Sequence, residues 1–298
     1  MKKYLFFAAA IAATLASCSS EAEDTPAVDN GQQKQKVLLS SKPFEFDDVA
    51  TRVAFTLNEE KGLQFAWEYN ETFGVFPIAP VNNQAVWHLT RSDEVASDPN
   101  YAVFDGQGWG LEDGTTYAAY HPYNGNLASN TPPTEIPVSL PEQQGGTLNA
   151  IAAYDYMCAV RGYYDIDNEY SDFADPVDPG TPHKRNVEFD FFHAISIIQI
   201  KVPSTVTSLT VTGTFMTSGT WDIATVGVNT WNKVTGTAEE KTISLSAPEE
   251  IKDGKAIFYL ATFPTTTGEC IINTGDISYQ VASKTLKANK AYRWSVGD

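Results

Sequence analysis

Apolar and polar residues alternate along most of the chain after Val37, in short runs separated by Gly, Pro, Asn and Asp. A period of two places every second side chain on the same face, which is typical of β-strands with one buried face. Thr, Val, Ile and aromatic residues dominate these runs and suit a pleated surface. The clearest runs are residues 63–67, 117–123, 209–214, 277–281 and 292–296. The pattern predicts an all-β protein of sandwich architecture.

Helical spacing is scarce along the chain. Its best example is residues 149–159, and the same stretch also fits a strand. The sequence therefore leaves helix and strand open at this one place.

The buried face changes parity between residues 187 and 202. Odd-numbered positions are apolar from Val187 to Phe191, whereas even-numbered positions are apolar from Ile198 to Val202. A continuous flat strand cannot exchange its faces in this way. Three explanations stay open: a bulge near His193, a segment buried on both faces, or passage from one domain to the next.

A domain boundary is expected just before this segment. Residues 165–182 are acidic and Pro-rich, as an exposed linker is. We therefore expect an N-terminal β-sandwich domain at 37–186 and a C-terminal β-sandwich domain at 187–298.

The N-terminus has the features of an export signal. Residues 1–17 combine Lys2 and Lys3 with an apolar run that is shorter than the roughly 20 residues needed to span a bilayer. The ending Leu-Ala-Ser-Cys resembles the lipobox of bacterial lipoproteins, which implies acylation of Cys18, as with palmitate, and an ordinary secretory peptide is the alternative. Residues 18–36 lack bulky apolar side chains and are expected to be a lipidated flexible tether. Acidic residues after the cysteine resemble the surface-export signal of Bacteroidetes lipoproteins.

The net charge limits the possible binding partners, and the sequence context of the cysteines indicates their redox state. A formal net charge of −17 argues against nucleic acid and against anionic lipid headgroups as partners. Cys158 and Cys270 lie far apart in apolar, strand-like runs. We expect two buried free thiols, and a disulfide in the exported protein is the alternative.

The sequence contains no clear catalytic or metal-binding motif. The four histidines form no short metal-binding pair, and no Gly-x-Ser-x-Gly motif occurs. His121 and His193 fall in apolar runs and are expected to be satisfied, partly buried imidazoles. The acidic residues 165–178 lack the order of an EF-hand loop. We expect no catalytic residue, no metal and no cofactor, although dispersed carboxylates leave a lipid-anchored hydrolase as a distant alternative.

Several short motifs follow one another along the chain, at residues 51–55, 63–67, 73–76, 117–123, 191–196 and 286–292. Their order resembles that of the fimbrillin family of Bacteroidia, the subunits of lipoprotein-derived pili. The resemblance implies two tandem transthyretin-like β-sandwich domains after a lipoprotein signal peptide.

The resemblance also implies a mechanism of assembly. The subunit reaches the cell outer membrane as a surface-exposed lipoprotein, and a trypsin-like protease then cuts after an arginine near the first strand. Arg52 occupies the matching position, and a plain surface arginine is the alternative. Loss of the first strand opens a groove that a strand from another pilin subunit fills by β-strand addition, building a fimbrium that contributes to adhesion.

Other functions stay open at this stage. A non-polymerising surface lipoprotein that binds a glycan or a host protein is the main alternative to a pilus subunit. The sequence does not separate stalk, tip and anchor roles, and it leaves residues 292–296 as either a core strand or a donated strand.

Overall fold

A computed structural model describes residues 36–41, 45–46, 72–79, 88–95, 101–107, 116–127, 131–163, 187–224 and 233–297. Within these ranges the chain forms twenty strands and one five-residue helix, so the prediction of an all-β protein is confirmed. The strands are β1 Lys36–Ser41, β2 Glu45–Phe46, β3 Thr72–Ala79, β4 His88–Val95, β5 Tyr101–Gln107, β6 Thr116–His121, β7 Ile136–Ser139, β8 Gln143–Gln144, β9 Met157–Tyr163, β10 Val187–His193, β11 Ser196–Pro203, β12 Leu209–Phe215, β13 Ser218–Asp222, β14 Lys233–Thr235, β15 Glu239–Leu245, β16 Glu250–Lys252, β17 Lys255–Thr262, β18 Cys270–Asn273, β19 Ser278–Val281 and β20 Lys290–Ser295, with α1 at Leu148–Ala152.

Seven strands pair into a sheet that closes on itself. Their order is β1-β10-β9-β6-β3-β4-β5, and β5 returns to β1. Every pair in this closed sheet is antiparallel except β1 with β10, which is parallel. β1 is thus the strand that completes the ring between β10 and β5.

Two five-stranded sheets form a sandwich in the C-terminal part. Their orders are β16-β17-β11-β20-β2, here called the middle sheet, and β19-β18-β12-β15-β8, here called the outer sheet. Side chains from both sheets share one apolar core. On β12, Leu209 and Val211 point into this core, while Thr210 and Thr212 are only partly buried. The predicted faces of this run are therefore confirmed.

The central strands β11 and β17 of the middle sheet are buried on both faces. On β11, Ile198 and Ile200 pack in the sandwich core, whereas Ile197 packs in a second core shared with the closed sheet. A strand covered on both sides favours apolar residues at successive positions, which accounts for the near-continuous apolar runs of β11 and β17.

The change in the parity of apolar positions between residues 187 and 202 reflects a break between two strands. β10 ends at His193 in the closed sheet, and β11 begins at Ser196 in the middle sheet. β11 is then buried on both faces, so no bulge is needed.

The division into domains at residue 187 stays a prediction. β10 pairs with β1 and β9 from before that residue, and β7 and β8 pair with β13 and β15 from after it.

The ambiguous stretch at residues 149–159 contains both structures. α1 ends at Ala152, and β9 begins at Met157. The helix begins where the Thr147 hydroxyl accepts the backbone N–H of Ala150 at 3.1 Å. Cys158 and Cys270 are free and buried, as expected from the sequence. In the described part of the chain, no helix has the length and apolarity required to cross a membrane.

A chain of aromatic contacts runs from the closed sheet through Trp221, in the three-stranded sheet β14-β13-β7, to Phe263 just after β17. Tyr120 of β6 meets the ring of Trp221 edge-on at 6.5 Å between centroids. Tyr156 contacts Trp221 at 5.8 Å and Phe263 at 5.6 Å. Aromatic pairs contribute about 0.5–1.5 kcal/mol each beyond the area they bury. Trp221 therefore links the aromatic ring of Tyr120 in the closed sheet to the rings of Tyr156 and Phe263.

We predict that Trp221→Ala lowers the free energy of unfolding by about 3–5 kcal/mol, because it leaves a cavity at the junction. Thr220→Ala is the matched control, since Thr220 is the exposed neighbour on the same strand. Urea unfolding followed by circular dichroism measures both. A Trp221→Ala protein as stable as the control would contradict this account of the core.

Candidate strand-binding site

The first two strands form one segment that pairs with two different sheets. β1 lies between β10 and β5, and β2 lies at the edge of the middle sheet beside β20. We call residues 101–105 and 187–191 the first seat, because they pair with β1. Residues 290–291 pair with β2 and form the second seat. Residues 36–46 thus hold positions in both sheets.

The first seat is a gap bounded by two strand edges. β1 runs parallel to β10, with Leu39 opposite Phe189, and antiparallel to β5, with Ser40 opposite Tyr101. Its backbone therefore pairs on both sides. Without β1, both neighbours would present unpaired N–H and C=O groups, and each such group that stays buried costs about 1–3 kcal/mol.

Buried aromatic side chains lie beside this gap. Phe189 and Phe191 of β10 are buried and contact Phe73 of β3, with centroids 6.1 and 5.8 Å apart. An open seat would give water access toward these rings, which adds an apolar cost to the unpaired backbone.

The second seat belongs to a strand of the core. β20 lies between β11 and β2 in the middle sheet. Tyr292 and Trp294 pack into the sandwich core, and the Tyr292 hydroxyl accepts the backbone N–H of Lys287 at 2.8 Å. The sequence leaves residues 292–296 as either a core strand or a donated strand. In this fold β20 is a core strand.

A buried polar cluster lies where the two seats meet. His193 Nδ1 lies 2.9 Å from Oδ1 and 2.8 Å from Oδ2 of Asp155, and both side chains are fully buried. One Nδ1 proton can serve only one carboxylate oxygen at a time, and Oδ2 has no other hydrogen-bond donor among the described residues. His121 Nδ1 lies 3.4 Å from the backbone oxygen of Asp155. Removing one member of such a buried pair is usually strongly destabilising.

Asn289 connects this cluster to β20. Its backbone N–H donates to the Ile195 carbonyl at 3.0 Å, and its side-chain oxygen accepts the His193 N–H at 3.4 Å. Asn289 has φ of 58°, a left-handed conformation that asparagine tolerates better than most residues. The end of β10 is also held by the Ala194 N–H, which donates to the Tyr156 carbonyl at 2.7 Å.

Burial shifts the pKa values of His121 and Cys158. It lowers the pKa of His121 to about 4, against a smaller opposing effect of Asp155. Burial raises the pKa of the Cys158 thiol well above its usual range, so this thiol stays protonated and unreactive near neutral pH. Within the described residues, no three His, Cys, Asp or Glu side chains come together as metal ligands.

The predicted site residues divide into two groups. Cys18 and Arg52 lie outside the described residues, so acylation and cleavage at these positions stay predictions. His121 and His193 are hydrogen-bonded, as expected, but both are buried rather than partly buried. Asp155 and Asn289 were not anticipated. The available signal for Asp155 was a lone charge inside the apolar run of residues 152–158.

The fold is similar to folds among the solved structures. A proposed cell adhesion protein of Bacteroides ovatus superposes with a TM-score of 0.54 at 17% identity, over 89% of this chain and 92% of that protein. The tip fimbrial protein Mfa3 of Porphyromonas gingivalis gives 0.44 at 7% identity, over 88% and 94% of the two chains. A proposed adhesin of Bacteroides thetaiotaomicron gives 0.39 at 10% identity, over 85% and 81%.

The first of these likenesses shows a shared fold, and the other two are too distant to support an argument. No protein-family model matches the sequence, and no curated protein matches it either.

We predict that His121 makes the fold sensitive to acid. Its pKa is lowered from 6.5 to about 4 in the folded protein, so the unfolded chain takes up the proton first. Its contribution to stability is complete above pH 6.5 and declines as the pH falls toward 4. His121→Asn should remove this loss, so the difference in unfolding free energy between wild type and variant should change by about 2 kcal/mol from pH 7.5 to 5. A difference that stays constant with pH would contradict the assignment.

Proposed function

We propose that the protein is a structural subunit of a cell-surface pilus, assembled by exchange of its first strand. The observation that carries the proposal is the position of β1, which completes the closed sheet between β5 and β10. A terminal segment in such a position can be replaced by a strand of another chain without changing the rest of the fold. The fold shared with the proposed cell adhesion protein of Bacteroides ovatus agrees with a role at the surface.

In this proposal, the closed sheet and the sandwich are the two tandem transthyretin-like domains. The chain reaches the outer membrane as a surface-exposed lipoprotein anchored through Cys18. A trypsin-like protease cuts after Arg52 and releases residues 36–46 from both seats. The subunit then becomes part of a fimbrium that contributes to adhesion.

The seats define the strand that replaces the released segment. The incoming strand must run parallel to β10, antiparallel to β5 and parallel to β20. It must supply five residues to the edge of β10 and, a few residues later, two to the edge of β20. Backbone pairing supplies most of the affinity, and alternate side chains supply the specificity.

A structural role without catalysis is part of the proposal. The His193–Asp155 pair has the chemistry of an acid–base pair, but both side chains are fully buried. Burial also raises the pKa of the Cys158 and Cys270 thiols, which disfavours either as a nucleophile.

Peptide exchange after cleavage tests this function. The mature protein is treated briefly with trypsin, and a fluorescent peptide of residues 36–46 is added. We expect the cut protein to bind the peptide and the Arg52→Gln variant, which lacks this cleavage site, not to bind it, with a scrambled peptide as the second control. Fluorescence anisotropy measures binding, and mass spectrometry confirms the cut after Arg52.

Two results would contradict the proposal. The first is a protein cut after Arg52 that keeps its own segment and accepts no peptide under any condition in which it stays folded. The second is a protein that binds a glycan or host protein as a monomer and never accepts a strand, which would favour the non-polymerising surface lipoprotein.

A further inference from the structure

One short segment occupies two seats that belong to different sheets. Ser41 is the last residue paired with β10, and Glu45 is the first paired with β20. Four peptide steps separate them, and an extended chain covers at most roughly 14 Å over that distance. The two seats must therefore keep a close and constant spacing if one strand is to fill both.

The buried polar cluster lies beside the inner ends of both seats. His193 is two residues beyond Phe191, the partner of Ser41, and Asn289 immediately precedes Lys290, the partner of Glu45. The cluster is thus adjacent in sequence to the inner end of each seat.

The hydrogen bonds of the cluster connect the two seats directly. Asn289 bonds to the backbone at both His193 and Ile195, which joins the start of β20 to the end of β10. Asp155 holds His193 from the other side, through its carboxylate. These contacts restrain the relative position of β10 and β20 independently of the segment that pairs with them.

We propose that Asp155, His193 and Asn289 are positioning residues that couple the two seats, so that an incoming strand binds both as a bivalent ligand. This inference rests on the proposed function. A strand held in one seat has a high effective concentration at the other only while the spacing is constant. Loosening the cluster should therefore weaken a strand that spans both seats and spare a strand that fills only one.

Two peptides separate this role from a general effect on stability. The long peptide covers residues 36–46 and reaches both seats, whereas the short peptide covers residues 36–41 and reaches only the first. In the cut protein, Asp155→Leu, which has no acceptor oxygen for His193, should weaken the long peptide at least tenfold and change the short peptide by less than twofold. Val211→Ala is the matched control, because it disturbs the sandwich core away from the cluster.

Asn289 gives a second and gentler test. Asn289→Gly keeps the left-handed backbone accessible but removes the side-chain acceptor, and should weaken the long peptide selectively. Asn289→Asp keeps an acceptor oxygen and should restore binding of the long peptide. Equal weakening of both peptides by these variants, or no weakening of either, would overturn the coupling role. Failure of the wild-type protein to bind either peptide would instead refute strand exchange itself.

Hydrogen exchange in the uncut protein provides a measurement that needs no peptide. In the wild type, the backbone amides of β1 and β2 should open together, because the two seats act as one unit. In Asp155→Leu and Asn289→Gly, β2 should exchange faster while β1 keeps its protection. Unchanged protection of both strands in these variants would overturn the proposal even if peptide exchange succeeds.

Discussion

The fold depends on one requirement, that every buried strand has a backbone partner on each side. In the closed sheet this requirement is met only because β1 fills the gap between β5 and β10. β1 comes from the beginning of the described chain, and its partner β10 comes from the middle. The segment that completes the sheet is therefore also the one that a neighbouring chain could most easily replace.

The middle sheet joins the N-terminal segment to both hydrophobic cores. One of its faces packs in the sandwich core, and the other packs against the closed sheet through Trp221 and its aromatic neighbours. β20, the partner of β2, is an inner strand of this sheet. The site for the N-terminal segment thus includes a core strand at each end, β10 and β20, which would suit the proposed exchange of a strand without rearrangement of the fold.

Much of this architecture is visible in the sequence wherever one face of a strand meets water. The Thr residues of β12 face outward and its apolar residues face inward, so alternation predicts both faces. Strands buried on both sides lose that alternation, and β11 therefore produces a parity change whose cause the sequence cannot decide. The role of Asp155 is also beyond pattern reasoning, because its partner His193 lies 38 residues away and meets it only in the folded protein.

The central claim is that the first seat holds a replaceable strand. An experimental structure of the assembled, protease-processed protein tests it most directly. The account predicts that the strand between residues 101–105 and 187–191 belongs to a second chain, running parallel to β10. An assembled form in which each chain keeps its own residues 36–41 in that position would contradict it.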